Sequence, residues 1–349
     1  MINKSDHQLR RLAVAVLQKL GTSDSDSARV ADHMVDANLC GVDTHGIHLL
    51  SRYVQFIKDG WIVPDATPEI VEQTATSALV RGNWGFGHPV ATMAMELGIE
   101  KALDQNVAVI GLVQLNHIGR LGEYAEMAAA KGTIAMIWGG GYAEVDAAKI
   151  AVPYGGRENV LCTNPWSIGF PAGDDTPMVV DYATTASSQI KVANARNKNQ
   201  PVPPGWIVDK QGQPSTDPND FFDGGGLLPF GGHKGFGMMM AAELLGRAVT
   251  GSNDFAEGDR GGTFGHSGTL FVLMKADLFR PLSDYAACTD QMQRRVRAVP
   301  PAPGFDEVLI PGDREHRTRQ ARLAGGIPLE EVVWEQLIEV AESLGVVPE

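Results

Sequence analysis

The chain has 349 residues, of which 44% are hydrophobic and 20% charged, and it carries a formal net charge of -13. This composition is typical of a globular protein with a sizeable core, and the length favours two associated lobes. The acidic balance argues against binding to nucleic acids or to anionic membrane surfaces. Three widely spaced cysteines and the lack of a long apolar stretch predict a cytoplasmic protein without disulfides or membrane spans.

Two amphipathic helices are predicted in the first forty residues. Ser5 can cap the first helix, which ends at Gly21, and Ser23 or Asp24 can cap the second. His33 is expected to be a solvated position on the second helix. We therefore expect the N-terminal segment to be helical.

The stretch GVDTHGIHLLSRYV follows, and a third helix is expected to begin near His45 and to run through Ile57. On that helix, His45 and His48 share one face because they are three residues apart. The pair suits either a metal site completed by Asp43 or a proton-transfer site beside the cation Arg52. No third metal ligand is visible nearby, which weakens the metal interpretation.

From about residue 77, short apolar runs alternate with helical segments, a pattern typical of a sheet covered by helices. The simplest partition has an N-terminal helical segment over 1–75, a central α/β domain over 76–300 and a C-terminal helical segment over 301–349. The C-terminal segment is expected to pack back on the N-terminal helices.

Several catalytic motifs are absent from the sequence. There is no G-x-G-x-x-G after a strand, no P-loop, no H-E-x-x-H, no C-x-x-C pair and no G-x-S-x-G. An ordinary Rossmann domain, P-loop phosphoryl transfer, zinc hydrolysis and serine esterase chemistry are therefore disfavoured.

Two sets of polar residues stand at strand ends or helix entries. His117, in QLNHIGRLG, directly follows the apolar strand VAVIGLVQ, where α/β proteins commonly place site residues. His233 and Lys234, in FGGHKGFG, stand at a glycine-rich helix entry that would suit a phosphate. The alternatives are a histidine that caps a helix and a solvated loop lysine.

Two further stretches resist a purely structural interpretation. TNPWSIGFP places Asn164 and Pro165 within an apolar run, and DYATTASSQIK begins with Asp181 at a strand end and continues with small hydroxyl residues. Short polar side chains before a helix would suit the ribose or pyrophosphate of a cofactor.

Taken in order, these stretches resemble the malate/L-lactate dehydrogenase family, the type 2, non-Rossmann 2-hydroxyacid dehydrogenases. Its members include ureidoglycolate dehydrogenase, sulfolactate dehydrogenase, diketogulonate reductase and cyclic imino acid reductase. The resemblance extends from about residue 41 to residue 319. The motifs that carry it are DTHGIHLLSRYV, NHIGRLGEYAEMAA, CTNPWSIGFP, DYATTASSQIK, PPGWIVDKQGQPSTDP, GGHKGFGMMMAAELLG and PGDREHRTR.

The resemblance implies an α/β (α+β) fold. Its non-Rossmann NAD(P)-binding domain, here 76–300, would be built on a mainly antiparallel sheet. A helical domain would be formed by the N- and C-terminal segments. A homodimer or higher homo-oligomer is also implied.

The family's functional residues are carried over position by position. His45 and His117 match histidines given the acid/base role in different members. Substrate contacts are expected from Thr44, His48, Arg52 and Tyr53. Cofactor contacts are expected from Asn164, Pro165, Asp181, Thr185, Lys191, His233, Lys234, Gly312, Asp313 and Arg314.

One departure from the family pattern concerns the substrate. Leu49 takes the place of an arginine that holds the substrate carboxylate in many members, and Arg52, one helical turn further, is the candidate replacement. The segment 139–156 is also longer than usual and is expected to reshape the substrate pocket.

The predicted activity is reversible, NAD- or NADP-dependent oxidation of a small 2-hydroxy acid resembling malate, lactate or ureidoglycolate, with NAD slightly preferred and no metal. The nearer alternative is reduction of a cyclic imino acid on the same fold. A metal-dependent hydrolase or lyase built on His45, His48 and Asp43 is more distant, and a non-catalytic binding protein is least favoured. Arg196 and Lys198 are candidates to meet the 2′-phosphate of NADP.

Overall fold

The computed structural model describes residues 1–347, which form eleven α-helices and twelve strands. The elements, in chain order, are β1 Ile2–Lys4, α1 Asp6–Lys19, α2 Asp24–Leu39, α3 Leu49–Lys58, β2 Glu69–Gln73, β3 Ser77–Arg81, α4 Gly87–Gln105, β4 Val107–Val113, α5 Leu121–Ala129, β5 Thr133–Gly140, β6 Trp166–Phe170, β7 Met178–Tyr182, α6 Gln189–Asn197, β8 Ile207–Val208, β9 Pro214–Ser215, α7 Pro218–Phe222, β10 Gly226–Leu227, α8 His233–Leu244, β11 Gly268–Lys275, α9 Leu282–Arg297, α10 Asp313–Gly325, β12 Ile327–Leu329 and α11 Glu331–Ser343.

The first two helices begin where their capping residues predict. Ser5 accepts a hydrogen bond from the backbone N–H of Gln8, whose side chain reaches back to the N–H of Ser5, which completes a capping box for α1. Ser23 accepts from the N–H of Asp26 at the start of α2. Both predicted caps are confirmed.

The third helix begins at Leu49 and not near His45, so that expectation is wrong. Residues Asp43–His45 form a separate 3₁₀ turn, and Gly46 is extended. The amide of Asn38 causes the break, because its Oδ1 accepts the N–H of Ile47 at 2.7 Å. His45 and His48 therefore do not share the face of one helix.

A seven-stranded sheet forms the centre of the molecule, in the order β2-β3-β4-β11-β5-β6-β7. Its neighbouring strands are antiparallel except for β3 and β4, which are parallel. The helices α4 and α5 pack on one face, and buried side chains such as Met95, Tyr124 and Phe271 fill the space between. The expectation of a mainly antiparallel sheet is confirmed.

Both ends of the described chain join one helical layer. β1 pairs with β12, with Ile2 opposite Leu329. One core cluster contains side chains of α1, α2 and α3 together with Leu337, Ala341 and Val346 from the C-terminal region. The expected helical part built from the N- and C-terminal segments is thus confirmed, whereas the boundaries at 75 and 300 stay predictions.

A third, smaller core lies beside the sheet. It surrounds the short strands β8, β9 and β10 and includes Val192 from α6, Phe221 from α7 and Met239 from α8. Within residues 1–347, no helix has both the length and the apolar composition needed to cross a bilayer.

Candidate active site

A cavity of about 670 Å³ opens between the helical layer and the sheet. The turn before α3, α3 itself, the loop after β4, the end of β7 and the N-terminus of α6 all contribute to its walls. Ten of the residues predicted for the site line this one cavity: Thr44, His45, Arg52, Tyr53, His117, Pro165, Asp181, Thr185, Lys191 and Gly312.

The other six predicted site residues do not line the cavity, although they lie on neighbouring elements. The side chains of Asn164 and Asp313 are engaged elsewhere: the amide of Asn164 donates to Glu243 at 2.7 Å, and Asp313 pairs with Arg297. The remaining four are His48, which is half-buried, and His233, Lys234 and Arg314, which are exposed.

Two histidine rings lie face to face in the cavity. The rings of His45 and His117 are stacked, with centroids 5.4 Å apart and planes inclined by 13°. The hydroxyl of Tyr53 lies 2.8 Å from Nδ1 of His117, and the hydroxyl of Thr44 lies 3.1 Å from Nδ1 of His45. Because both Nδ1 atoms have partners, the Nε2 atoms are the ring nitrogens left for a substrate.

Both stacked histidines are held in the neutral form. Burial, and after it the charges of the neighbouring His33 and His48, lower the pKa of His45 to about 4. The pKa of His117 also lies well below its usual range, because of burial and then because of the charges of His45 and Arg52. A neutral imidazole can accept a proton, so the pair is suited to act as a base.

A row of buried polar side chains continues behind Tyr53. Nε2 of His88 lies 3.5 Å from the Tyr53 hydroxyl, and the ring of His88 packs 4.7 Å from that of His33. His33 Nδ1 in turn lies 2.5 Å from Glu123 Oε2, and Arg29 pairs with the other carboxylate oxygen. Burial would raise the pKa of Glu123, but His33 and Arg29 hold it well below its usual range.

The solvated position expected for His33 is wrong, because its ring is 0% exposed. The sequence carried a signal for this, since His33 lies three residues after Val30 and four before Ala37, on the apolar face of α2. Its Nε2 accepts the backbone N–H of Arg120 at 2.8 Å, which fixes the turn that follows His117.

The charged groups of the cavity are mostly paired. Arg120 is bound to Glu126 at 2.7 Å. Burial raises the pKa of Asp181 to about 6, partly opposed by Arg120, and its carboxylate accepts the N–H of Gly122 at 2.7 Å. Arg52 contacts the ring of Phe56 at 5.0 Å and has no carboxylate partner within the described chain.

The N-terminus of α6 has the features of a phosphate site. Ser188 caps this helix, and residues 187–191 line the cavity. A helix N-terminus carries partial positive charge, which Lys191 supplements. The Ser187 hydroxyl is buried without a hydrogen-bond partner in the part of the chain that is described, so it is left for a ligand. These groups fit the pyrophosphate or ribose of a dinucleotide.

Glu243 was not singled out by its sequence context. Its buried carboxylate accepts the N–H of Gly141 at 3.0 Å, the N–H of Ala143 at 3.3 Å and the amide of Asn164 at 2.7 Å. It thereby holds the loop that places Tyr142 in the cavity wall. The partners lie about 80 to 100 positions away in the sequence, so no local pattern reveals them.

The metal interpretation of the stretch around His45 finds no support in the geometry. Within residues 1–347, no group of three or more His, Cys, Asp or Glu side chains is arranged to hold a metal ion. Asp43, the expected third ligand, is bound to Arg322 and to the amide of Asn38.

Comparison with known proteins gives matches along nearly the whole chain. A family model described as malate/L-lactate dehydrogenase matches residues 5–338. The chain is 33% identical to malate/(S)-sulfolactate dehydrogenase of Methanothermus fervidus, over 98% of this chain and 98% of that protein. Among solved structures it is similar to sulfolactate dehydrogenase from Methanocaldococcus jannaschii, with a TM-score of 0.88 and 32% identity over 99% of this chain and 98% of that one. It is also similar to delta1-piperideine-2-carboxylate reductase from Pseudomonas syringae, with a TM-score of 0.84 and 29% identity over 98% of this chain and 100% of that one.

Proposed function

Because this chain belongs to the malate/L-lactate dehydrogenase family, we propose that it catalyses reversible hydride transfer between a nicotinamide cofactor and a 2-hydroxy acid. The observation that carries the proposal is the stacked pair His45 and His117 in the cavity, with His117 fixed by Tyr53. The nicotinamide, when bound, supplies the redox chemistry, and the protein supplies binding, orientation and proton transfer.

His117 is the principal base in this proposal. In the oxidation of the alcohol, its free Nε2 takes the hydroxyl proton while Nδ1–H donates to the oxygen of Tyr53. The low pKa keeps the ring ready to accept a proton at neutral pH. In the reverse direction, the carboxylate of an incoming 2-oxo acid raises the pKa of the ring, which favours the protonated acid.

His45 is proposed as the second hydrogen-bonding group for the reacting oxygen. Its ring lies parallel to that of His117, and Thr44 holds its Nδ1. The unpaired guanidinium of Arg52 is proposed to bind the substrate carboxylate, since its charge already acts on His117. This gives the substrate two anchors, one at the carboxylate and one at the hydroxyl.

The cofactor is proposed to lie along the N-terminus of α6, with Pro165, Asp181, Thr185, Lys191 and Gly312 around it. NAD is proposed over NADP. Arg196, a candidate partner for a 2′-phosphate, has its guanidinium 3.7 Å from the centroid of the Phe222 ring. The ratio of kcat/KM for NADH and NADPH tests this preference, and a higher value with NADPH would contradict it.

A homodimer or higher oligomer that works in the cytoplasm is also proposed. Large apolar side chains on the surface support association, among them Phe279, which is 93% exposed, and Phe305, which is 70% exposed. The three cysteines are unpaired, which supports a reducing compartment. Light scattering coupled to size-exclusion chromatography measures the oligomeric state directly.

The assignment of the two histidines is tested by replacing each with asparagine. A well-placed acid/base group is worth about 10²–10⁴-fold in rate. His117→Asn should therefore lower kcat by about that factor, and His45→Asn should also lower it, while the dissociation constant of the cofactor changes little. The exposed His7 offers a matched control, because His7→Asn removes an imidazole that does not line the cavity. Near-normal kcat in both site variants would refute the proposal.

One neighbour keeps a second function open. The similarity to delta1-piperideine-2-carboxylate reductase favours reduction of a cyclic imino acid as the alternative activity. A protonated C=N accepts hydride much as a polarised C=O does. Assays with delta1-piperideine-2-carboxylate and with 2-oxo acids, each with NADH and NADPH, separate the two activities.

A further inference from the structure

We infer that the substrate is a 2-hydroxy or 2-oxo monocarboxylate with an apolar side chain larger than methyl, and not a dicarboxylate or a sulfonated acid. The inference rests on the proposed function, because it names the substrate class of that same site. It follows from the charges and the apolar groups of the cavity wall.

The cavity has one cation near the histidines that is free to hold an anion. Among the described residues, three arginine or lysine side chains line the cavity: Arg52, Arg120 and Lys191. Arg120 is neutralised by Glu126, and Lys191 lies on α6 beside the proposed phosphate site. Arg52 is thus left for a single substrate carboxylate. A second anionic group would find no unpaired cation at this end of the cavity within the described residues.

Two aromatic rings and one aliphatic side chain form the apolar part of the wall around the reacting histidines. The ring of Phe264 lies 5.6 Å from that of His117, and the ring of Tyr142 packs edge-on against Phe264 at 6.3 Å. On α3, Leu49 faces the same cavity one turn before Arg52. We infer that a substrate held by Arg52 and His117 extends its side chain against this apolar part of the wall.

The balance of solvation decides between the substrate classes. An apolar side chain gains free energy when it leaves water for such a wall. A second carboxylate or a sulfonate would lose its hydration without gaining a partner, a cost that apolar sites do not repay. One additional methylene group in a well-fitting pocket is worth about 10- to 200-fold in specificity. The kcat/KM for apolar 2-oxo acids should accordingly be higher than that for pyruvate and that for oxaloacetate.

The unmodified protein gives the first test. Initial rates of NADH or NADPH oxidation are measured with 2-oxoisocaproate, phenylpyruvate, pyruvate, oxaloacetate and 3-sulfopyruvate. The better of the first two should exceed each of the other three in kcat/KM by at least about tenfold. If oxaloacetate or 3-sulfopyruvate matches or exceeds both apolar acids, the inference is overturned. The inference also fails if the kcat/KM for pyruvate equals those for the two apolar acids.

A charge introduced at Leu49 gives the second test. Leu49→Arg places a second guanidinium one turn from Arg52, facing the cavity. It should raise kcat/KM for oxaloacetate relative to 2-oxoisocaproate by at least about tenfold, since a buried ion pair now forms. Gln55→Arg is the matched control, because Gln55 is exposed on the same helix and does not line the cavity. An unchanged ratio in Leu49→Arg, with a thermal melt that shows a folded protein, would contradict the inference.

The two levels of the proposal fail in different ways. If no 2-oxo acid is reduced with either cofactor while a cyclic imine is, the proposed function is wrong and the substrate inference falls with it. If 2-oxo acids are reduced but the dicarboxylate is preferred, the proposed function stands and only the substrate class is refuted.

Discussion

Replacing Tyr53 with phenylalanine removes one hydroxyl group and leaves the buried ring in place. In the protein, this hydroxyl lies 2.8 Å from Nδ1 of His117 and 3.5 Å from Nε2 of His88. The variant therefore tests whether the contact assists proton transfer or only fills space. His117 itself stays present and free to react.

The expected effect follows from the change in charge of His117 during the proposed reaction. A hydrogen bond between neutral groups contributes about 0.5–1.5 kcal/mol, and one to a charged group about 1.5–3 kcal/mol. When His117 accepts the substrate proton, its hydrogen bond to Tyr53 changes from one between neutral groups to one that involves a charged group. Loss of that difference, about 1–1.5 kcal/mol, should lower kcat for alcohol oxidation by about tenfold. Stability should fall by about 1–3 kcal/mol, because Nδ1 is left unpaired in a buried site.

The pH dependence provides the independent readout. With His117 as the proposed base, oxidation requires its neutral ring, so activity should rise with pH through the pKa of that ring and then level off. Tyr53→Phe removes an acceptor that stabilises the imidazolium, which lowers the pKa further. The acidic limb of kcat should therefore move down by about one pH unit, since 1.36 kcal/mol corresponds to one unit.

Tyr124→Phe is the matched control for this variant. Its hydroxyl is also buried and donates to the carbonyl of Ile118 at 2.6 Å, but it does not line the cavity. It should cost similar stability, measured by urea unfolding, with less than about a threefold change in kcat. A Tyr53→Phe enzyme with wild-type kcat and an unshifted acidic limb would refute the assignment of Tyr53 to proton transfer.

Three further substitutions test other parts of the site, and a fourth, Gly60→Ala, serves as a control. Gly119→Ala should cost about 1–3 kcal/mol or more in urea unfolding, because φ is +75° and the added Cβ would lie 2.0 Å from Nε2 of His33. Gly60 has a φ of +72° and no atom within 4 Å of an added Cβ, so Gly60→Ala measures the backbone strain alone. It should lower the free energy of unfolding by less than Gly119→Ala does. Glu243→Ala should cost about 3–5 kcal/mol in the same assay, since three donors lose their buried acceptor, and a loss under about 1 kcal/mol would contradict that role. Arg52→Met should raise KM for the 2-oxo acid by about 10- to 100-fold with a smaller change in kcat, and an unchanged KM would exclude Arg52 as the carboxylate anchor.

Features that depend on residues close together in the sequence could be predicted. The caps at Ser5 and Ser23 and the apolar strands of the central sheet depend on neighbouring side chains and on periodicity. The start of α3 at Leu49 could not be predicted in this way. It depends on the amide of Asn38, which belongs to the preceding helix and accepts the N–H of Ile47. Local propensity does not contain that contact.

The site residues also include some that the sequence predicts and some that it does not. His45, Tyr53 and His117 could be predicted from their motifs, and all three line the cavity. The residues behind them were missed, because they act through contacts between distant parts of the chain. His88 reaches the hydroxyl of Tyr53 from 35 residues away, and Glu243 binds Gly141 across 102 residues. Such partners depend on the tertiary fold and have no signature of their own.

The shared helical layer has a consequence for the order in which the molecule is assembled during synthesis. His45 and Tyr53 belong to a layer whose core includes Leu337 and Val346 and whose edge strand pairs Ile2 with Leu329. The central sheet is complete once Lys275 has been made, whereas this layer must wait for α11. Contacts between such distant segments form late and slowly. The nascent chain can thus complete its central sheet first, and the layer that carries His45 and Tyr53 is complete only when α11 docks beside α1.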